Sequence, residues 1–307
     1  MKYVVSGYIG FDNFGDEVIA HILSQKLKEK GADKVTLISS NPGKTSELHD
    51  VYSCGMLNFL PSLFEADVLI SGGGSLLQDT TSFKSLVYYL AVIYSALILG
   101  KKVEIFAQGI GPINSKIGQF LTKYALKRAE KITVRDKKSQ ELLKGWNIES
   151  ELVKDPVLDL ELQQKNKKGA VGIQLRSFRG VDEIFLNRLA NEVYKRFADK
   201  KILVISLQDK SDLDICEQFS KKLNDYGIKD TEICSGLSVN EVMETISNLE
   251  YLIAMRFHAN VVGLKSGVKT LAINYDPKVE NLAEEYDLPM INLYDEEFSK
   301  QFERLFD

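Results

Sequence analysis

Residues that hold metals or form disulfides are scarce in this sequence. Its 307 residues include only three cysteines and three histidines. Cys54, Cys216 and Cys234 stand far apart, without the paired spacing of a zinc site or a disulfide framework, so neither is expected and a reducing compartment fits best. The first seven residues lack the charged region, the long apolar core and the small-residue cleavage site of an export signal, which favours a cytoplasmic location.

Long apolar runs and a strong excess of one charge are also missing. The most apolar stretch, residues 86–100, is shorter than the roughly 20 residues that a membrane-spanning helix needs, and it predicts a helix buried against a sheet. The chain has 39 Lys plus Arg against 43 Asp plus Glu, a net charge of -4, which argues against a dedicated nucleic-acid-binding protein. Residues 276–307 hold ten acidic and three basic residues and predict a pair of solvated helices.

What the sequence does contain is a regular alternation of short β-branched runs with helical patterns. That alternation is typical of βαβ units and predicts an α/β fold with largely parallel sheets. Because 307 residues exceed the usual size of one core, two Rossmann-like, doubly wound domains are expected at 1–160 and 170–307, with a polar linker at about 159–169. The predicted strands lie near 3–6, 35–39, 68–71, 103–107, 132–134 and 151–153, then near 170–175, 202–206, 231–234, 251–255 and 270–273. The predicted helices lie near 17–30, 83–99, 116–129 and 138–146, then near 182–198, 212–225, 239–249 and 259–265.

The loop of residues 7–17 joins the first predicted strand to the first predicted helix. It contains Gly7, Gly10, Asn13, Gly15 and Asp16 at the sheet edge where ligands bind in such folds. The glycine spacing does not match a dinucleotide-binding fingerprint and there is no Walker lysine, so neither NAD nor ATP is indicated here. Asp16 is either the N-cap of the helix or a carboxylate that accepts a proton from a substrate hydroxyl, and both interpretations stay open.

Two more loops at the same predicted edge are rich in glycine. Three successive glycines at a strand end indicate that a ligand or an opposing backbone comes close, although ordinary turn chemistry explains each loop when it is taken alone. The residues concerned are Gly72, Gly73, Gly74 and Ser75 after the third strand, and Gln108 and Gly109 after the fourth.

Arginines follow three of the predicted strands. Arg135 lies after the fifth strand, Arg176 after the first strand of the second domain, and Arg256 near the end of a later strand. The planar guanidinium group suits a carboxylate or a phosphate, although a salt bridge is the commoner use of such an arginine.

His258 lies where a strand is predicted to run into a helix. Arg256, two positions earlier, is predicted to share its strand face, and the helix N-terminus offers N–H groups to an anion. This pairing favours a functional histidine over a satisfied core residue. The other two histidines, His21 and His49, have no such setting and are predicted to be surface residues of a helix or loop.

In this order, and over nearly the whole chain, the segments resemble the polysaccharide pyruvyltransferase family. The resemblance is strongest to the bacterial branch that pyruvylates secondary cell wall polysaccharide, the modification recognised by S-layer homology domains. It implies a GT-B-like fold of two Rossmann-like domains facing a cleft, and transfer of the enolpyruvyl group of phosphoenolpyruvate to two sugar hydroxyls as a ketal. Phosphate is released, and no metal or other cofactor is implied. The matching segments are 7–17, 72–79, 108–112, 134–136, 155–157, 175–176 and 255–259.

The resemblance also implies roles for single residues. Arg135, Arg256 and His258, with Phe257 between the last two, correspond to the site for phosphoenolpyruvate, and Asp16 corresponds less closely to an acidic residue of the first loop. As a hypothesis, His258 is the general acid and Asp16 assists as base. The N-terminal domain is then the acceptor side and the C-terminal domain the donor side. Arg135 belongs to the N-terminal domain but is expected to reach the donor. The remaining residues expected at acceptor or cleft loops are Asn13, Gly15, Gly72, Gly73, Gly74, Ser75, Gln108, Gly109 and Arg176.

Two other functions stay open from the sequence. A GT-B glycosyltransferase would hold a nucleotide sugar at the second domain, where a Glu for the ribose hydroxyls is expected and Glu280 could be mistaken for it. A non-enzymatic sensor would bind an anionic glycan. The expected acceptor is a sugar on a lipid-linked oligosaccharide, which a cytoplasmic enzyme would meet at the inner face of the membrane with at most peripheral contact. Lys165, Lys167 and Lys168 are candidates for that contact, but a solvated linker accounts for them better.

Overall fold

The computed structural model describes residues 1–80, 82–160, 162, 169–295 and 298–306. The chain divides into two compact units, Met1–Asp159 and Leu160–Asp307, called unit 1 and unit 2 below. Lys165, Lys167 and Lys168 of the expected linker lie outside the described residues. No helix in the described ranges is both long enough and apolar enough to cross a bilayer.

Within its described residues, unit 1 contains a seven-stranded sheet in which all neighbouring strands are parallel. The strands are β1 (Lys2–Ser6), β2 (Lys34–Ser39), β3 (Tyr52–Gly55), β4 (Val68–Gly72), β5 (Lys102–Gln108), β6 (Lys131–Val134) and β7 (Glu151–Leu152). Their order across the sheet is β3-β2-β1-β4-β5-β6-β7. The helices are α1 (Phe14–Glu29), α2 (Pro42–His49), α3 (Leu60–Glu65), α4 (Phe83–Ile98), α5 (Lys116–Leu126) and α6 (Lys137–Gly145), followed by a 3-10 helix at Pro156–Asp159.

The described residues of unit 2 contain a six-stranded parallel sheet. The strands are β8 (Val171–Gln174), β9 (Ile202–Ile205), β10 (Thr231–Cys234), β11 (Tyr251–Ala254), β12 (Lys269–Asn274) and β13 (Met290–Asn292), in the order β10-β9-β8-β11-β12-β13. The helices are α7 (Glu183–Phe197), α8 (Asp209–Asp225), α9 (Val239–Ser247), α10 (Phe257–Lys265), α11 (Pro277–Glu285) and α12 (Ser299–Glu303).

Buried apolar runs explain why the sheets are parallel and covered. Every residue of β4 and of β11 is buried, as expected for strands with helices on both faces. In unit 2, Phe185, Phe197 and Phe219 are fully buried in one apolar cluster with the strands. Each such side chain stabilises the fold by about 1.5–3 kcal/mol relative to an exposed one.

The strand order places the site. In each sheet the order runs outward in one direction from the first strand and in the other from the fourth, so the reversal falls between β1 and β4 in unit 1 and between β8 and β11 in unit 2. Ligands of doubly wound sheets bind outside the carboxyl ends of the strands at this reversal. A ligand is therefore expected to bind at the loops that follow these four strands.

The structure also differs from the expected elements. The strands β3 and β13 and the helices α2 and α3 were not predicted. The acidic C-terminal segment forms the two expected helices, but they are not solvated on all sides: α11 and α12 bury Val279, Leu282 and Phe302, and β13 pairs with β12 between them. Full solvation was the wrong expectation, because the charged residues occupy only the outer faces of these short helices.

Candidate active site

The first loop of unit 1 brings Asp16 into the first turn of α1. The N-cap is Asn13, whose side-chain oxygen accepts a hydrogen bond from the Gly15 N–H at 3.3 Å. The Asn13 amide in turn donates to Asp16 Oδ2 at 2.6 Å. The alternative in which Asp16 itself is the N-cap is therefore wrong, and its carboxylate is held in place by the true cap.

A buried carboxylate, paired with a buried histidine, holds the same loop by a hydrogen bond. Glu17 Oε1 accepts a hydrogen bond from the Gly10 N–H at 2.7 Å, and Glu17 Oε2 lies 3.0 Å from His49 Nε2. His49 is 1% exposed, so the prediction of a surface residue was wrong: α2, which was not predicted, carries it inward. His21 is half-buried beside it, and burial, followed by the charges of His49 and Lys28, lowers the pKa of His21.

The glycine run after β4 packs directly against α1. Gly73 and Gly74 have φ angles of +69° and +64°, a conformation that favours glycine. A Cβ atom on Gly73 would lie 2.5 Å from Ile19 Cγ2, and one on Gly74 would lie 2.7 Å from Asp16 Oδ1. Gly72 is the buried last residue of β4. The glycines thus allow the backbone to approach side chains of α1, Ile19 and Asp16, rather than the ligand or opposing backbone that the sequence indicated.

Ser75 joins this loop to the loops after β5 and β6. A Cβ atom on Gly109 would lie 2.5 Å from Ser75 Oγ, so these two loops also touch. Arg135 Nη2 donates to Ser75 Oγ at 3.2 Å, and Arg135 Nη1 donates to Asp155 Oδ2 at 2.8 Å. The side chains of Arg135 and Asp155 are both 8% exposed, which makes their ion pair a buried one. Asp155 also accepts the Val157 N–H and anchors the arginine.

Gln108 does not join this group through its side chain. It is the last residue of β5, is fully buried, and its amide donates to Ser71 Oγ at 3.3 Å. Its role as a cleft residue stays a prediction: the amide nitrogen pairs with the neighbouring strand β4, while the buried Oε1 has no hydrogen-bond partner among the described residues.

Two tyrosines near Asp16 escaped the sequence interpretation. Burial first, and then the negative charge of Asp16, raise the pKa of Tyr8 and of Tyr89 above the ordinary tyrosine value. The Tyr8 ring stacks on Phe11 with centroids 4.2 Å apart. Tyr8 could have been identified as a candidate from its position in the first loop. No local sequence signal distinguishes Tyr89, which lies on α4 and packs in the core.

In unit 2 the turn from β11 into α10 carries the predicted arginine and histidine. The strand ends at Ala254, Arg256 occupies the N-cap position and α10 begins at Phe257. His258 is consequently the second residue of the helix, and the prediction that it shares a strand face with Arg256 was wrong. The buried Asn260 side chain donates to the Ala254 and Arg256 carbonyl groups, both at 3.0 Å, and fixes this turn.

The guanidinium group of Arg256 is held by a buried carboxylate. Nε donates to Asp212 Oδ2 and Nη2 donates to Asp212 Oδ1, both at 2.7 Å, in a bidentate pair. Nη2 also lies 3.1 Å from Gln208 Oε1 and from Ser211 Oγ. Asp212 is fully buried and Arg256 is 9% exposed. Much of the arginine charge is therefore compensated within unit 2, a feature that no sequence spacing revealed.

Arg176 lies at the neighbouring strand end, after β8. Its Nη1 donates to the Tyr275 hydroxyl at 3.3 Å, and its guanidinium carbon lies 5.2 Å from the Tyr275 ring centroid. The Phe257 and His258 rings meet edge to face at 5.2 Å, and both residues are half-buried. Among described residues no side chain caps α10, and its first turn has no acidic residue, so its N-terminal N–H groups suit an anion.

The structure thus groups the predicted residues at two strand edges. At the carboxyl ends of the strands of unit 1 lie Asn13, Gly15, Asp16, Gly74, Ser75, Gly109 and Arg135. At the carboxyl ends of the strands of unit 2 lie Arg176, Arg256, Phe257 and His258. Over the described ranges, no group of three or more His, Cys, Asp or Glu side chains is arranged to hold a metal ion.

Solved structures with this fold include a UDP-GlcNAc 2-epimerase and proteins in complex with UDP or UDP-glucose. UDP-GlcNAc 2-epimerase from Neisseria meningitidis bound to UDP-GlcNAc is 11% identical, with a TM-score of 0.64 over 100% of this chain and 91% of its own. MnaA from S. aureus with UDP is 10% identical, with a TM-score of 0.68 over 100% and 88%. HepE from Anabaena in complex with UDP-glucose is 9% identical, with a TM-score of 0.62 over 100% and 89%. At these identities the likeness shows the fold alone, and it confirms the predicted α/β class of two Rossmann-like, GT-B-like units.

A sequence-family match goes further than the fold. No curated protein sequence matches the chain significantly. The family model described as polysaccharide pyruvyl transferase, however, matches residues 13–277, from the N-cap of α1 to the start of α11. That span includes both strand edges and all the residues grouped there. The chain therefore belongs to the polysaccharide pyruvyl transferase family and is a transferase.

Proposed function

We propose that the protein transfers the enolpyruvyl group of phosphoenolpyruvate to two hydroxyls of one sugar in a cell wall polysaccharide precursor. The product is a pyruvyl ketal, and phosphate is released. No metal ion or resident cofactor takes part in the proposed reaction. A chelator is accordingly expected to leave the rate unchanged.

The observation that supports this donor best is the start of α10. Phosphoenolpyruvate carries a carboxylate and a phosphate, and here an uncapped helix N-terminus adjoins Arg256 and the strand end that bears Arg176. Because Asp212 compensates much of the Arg256 charge, Arg176 and the α10 N–H groups provide most of the attraction for the anion. Arg256 then acts mainly by fixing the turn, with Phe257 beside the donor.

The proposed proton transfers use His258 and Asp16. His258 gives a proton to the methylene carbon of the donor, which makes the neighbouring carbon electrophilic, and a sugar hydroxyl attacks that carbon while Asp16 takes its proton. The bond from this carbon to the phosphate oxygen then breaks, and the second hydroxyl attacks the same carbon to close the ketal. Its proton leaves with phosphate. Asp16 then releases the first hydroxyl proton to solvent and His258 takes one up, so the two hydroxyl protons account in net terms for the new methyl hydrogen and the protonated product.

Unit 1 supplies the acceptor side in this proposal. Asn13 holds Asp16 by a hydrogen bond, and Ser75, Gly109 and Arg135 lie at the same edge. Arg135, anchored by Asp155, offsets negative charge as phosphate leaves. The acceptor is a sugar carried by a lipid-linked oligosaccharide of the secondary cell wall polysaccharide, whose product serves in S-layer anchoring.

The central test is phosphate release by the purified full-length chain mixed with phosphoenolpyruvate and a disaccharide-lipid acceptor, with mass spectrometry for the ketal. His258→Ala is expected to fold, as judged by circular dichroism and melting temperature, and to lose transfer. Near-normal turnover by this variant would show that His258 is not the acid. Absence of a ketal with wild-type protein and a panel of such acceptors would overturn the function itself.

A nucleotide-sugar glycosyltransferase is the second candidate, favoured by the UDP complexes among the similar structures. Ligand-induced thermal shift separates the two. At a ligand concentration of about 100 Kd, a bound ligand stabilises the folded state by about 2.7 kcal/mol. Stabilisation by phosphoenolpyruvate but not by uridine nucleotides supports the pyruvyl donor, and the reverse result supports the glycosyltransferase.

A further inference from the structure

Two neighbouring helices of unit 1 expose apolar side chains where polar ones are usual. The sequence predicted that residues 86–100 form a helix buried against the sheet, and α4 does bury Leu86, Leu90 and Ile93. Its opposite side, and that of α5, remains exposed. The large apolar residues there, with their exposed fractions, are Phe83 (43%), Val87 (44%), Ile98 (83%), Ile117 (66%), Phe120 (67%) and Tyr124 (44%), which together define the α4–α5 surface.

The two helices form one continuous surface. The Tyr94 ring of α4 stacks on the Tyr124 ring of α5 with centroids 6.2 Å apart, and the Tyr94 hydroxyl donates to the Leu121 carbonyl at 2.8 Å. The ring centroids of Phe120 and Tyr124, which are one turn apart on α5, are separated by 6.4 Å. A patch of aromatic and aliphatic side chains of this kind on a monomer marks a contact with a partner or with a membrane.

The charges on the two helices have a single sign, while Asp79 and Glu130 lie just beyond the ends of α5. Residues 83–98 and 116–128 contain no Asp or Glu, although the chain as a whole has a net charge of -4. The guanidinium carbon of Arg128 lies 3.5 Å from the Tyr124 ring centroid, so one of the cations borders the apolar patch directly. The basic residues on or just after the two helices are Lys84, Lys116, Lys123, Lys127 and Arg128.

We propose that the α4–α5 surface binds peripherally to an anionic lipid bilayer. Its aromatic and aliphatic side chains enter the headgroup region, and its lysines and arginine approach lipid phosphates, as in interfacial amphipathic helices. Charge complementarity selects this occupant over a second copy of the chain. A two-fold symmetric dimer would set the same cations against themselves, with no carboxylate on either helix to compensate them.

The surface also adjoins the candidate site. The helices α4 and α5 follow the loops at the carboxyl ends of β4 and β5, the same loops that contain Ser75 and Gly109. A bilayer contacted by these helices therefore lies beside the strand edge of unit 1. The inference stands on exposure and charge and does not require the proposed reaction.

Cosedimentation of the full-length chain with vesicles tests the inference. We expect binding to vesicles of phosphatidylcholine with phosphatidylglycerol, and little binding to phosphatidylcholine alone. Phe120→Ser is expected to weaken this binding by about tenfold, because it removes a large apolar group from the interface. Lys123→Gln should weaken it less, and more strongly at low salt. The matched control is Ile184→Ser on α7 of unit 2, where the side chain is 61% exposed and follows acidic residues, and it should bind like wild type.

Three results would overturn the inference. The first is no binding to the anionic vesicles. The second is binding that falls with salt and with Lys123→Gln but is unaffected by Phe120→Ser, which would indicate general attraction to polyanions. The third is a wild-type dimer in light scattering that Phe120→Ser converts to a monomer, which would identify a self-association face. Phosphate release in solution does not enter any of these measurements, so failure here is distinct from failure of the proposed reaction.

Discussion

Replacing Gly74 by alanine is expected to separate the cost of the backbone conformation from the cost of moving Asp16. At a φ of +64° any residue with a Cβ atom is strained, by about 1–2 kcal/mol. The added Cβ would also lie 2.7 Å from Asp16 Oδ1, so the carboxylate must retreat by about 0.7 Å to reach the 3.4 Å of ordinary contact. The 2.6 Å hydrogen bond from Asn13 opposes that movement.

A displacement of this size at a reacting group matters far more for turnover than for folding. Misplacement by about 1 Å lowers rates by about a hundredfold, so we expect a loss of that order in phosphate release by Gly74→Ala. The matched control is Gly100→Ala. Gly100 has a φ of +68° in the same unit, but a Cβ there would meet nothing within 4 Å. It should show the same backbone strain and near-normal turnover.

The assay combines urea unfolding with phosphate release from phosphoenolpyruvate in the presence of acceptor. Both variants are expected to lose similar unfolding free energy, and only Gly74→Ala is expected to lose turnover. If Gly74→Ala turned over within about twofold of Gly100→Ala, the close approach to Asp16 would have no part in the reaction, and the assignment of Asp16 as base would be refuted.

Two further predictions concern the buried Asp212 and the half-buried His21. Asp212→Ala leaves the Arg256 charge without its bidentate partner and should lower the unfolding free energy by about 3–5 kcal/mol. The control Asp214→Ala, at an exposed position of the same helix, should change the unfolding free energy by less than about 0.5 kcal/mol. Equal urea midpoints for the two variants would contradict the buried pair. Burial and the charges of His49 and Lys28 lower the pKa of His21 in the folded chain. As the pH falls below 6.5, the ordinary pKa of histidine, the unfolded chain therefore binds more protons at this residue than the folded chain does. Stability should therefore be retained above pH 6.5 and decline below it, and His21→Gln should flatten that decline in pH-dependent thermal unfolding; an unchanged profile would exclude His21 as its cause.

Much of the architecture was predictable because buried parallel strands have a simple sequence pattern. Runs such as Val68–Gly72 are mostly apolar and end in glycine, and they alternate with helices that carry capping residues. The strands β3 and β13 lacked that pattern: β3 is partly exposed at the sheet edge and β13 has three residues. Their conformation depends on pairing with β2 and β12, which a local window does not show.

The candidate site was predictable in position and less so in chemistry. Arg135, Arg176 and Arg256 were identified because arginine at a strand end is a local feature. Their partners were not, since Asp155 lies 20 residues from Arg135 and Asp212 lies 44 residues from Arg256. These carboxylates decide how much positive charge each arginine offers to an anion.

The sequence by itself determined the alternation of strands and helices, the glycine loops at strand ends and the family pattern, because each depends on local conformation or on residue order. Only the tertiary structure decided that Asn13 rather than Asp16 caps α1, that His49 is buried against Glu17, and that Gln108 turns into the sheet. It also decided that α4 and α5 join their exposed faces into one basic, apolar surface. The cap at Asn13 is a local contact within the first turn of α1. The other outcomes depend on contacts between residues distant in sequence, where packing and charge compensation, rather than local propensity, choose the arrangement.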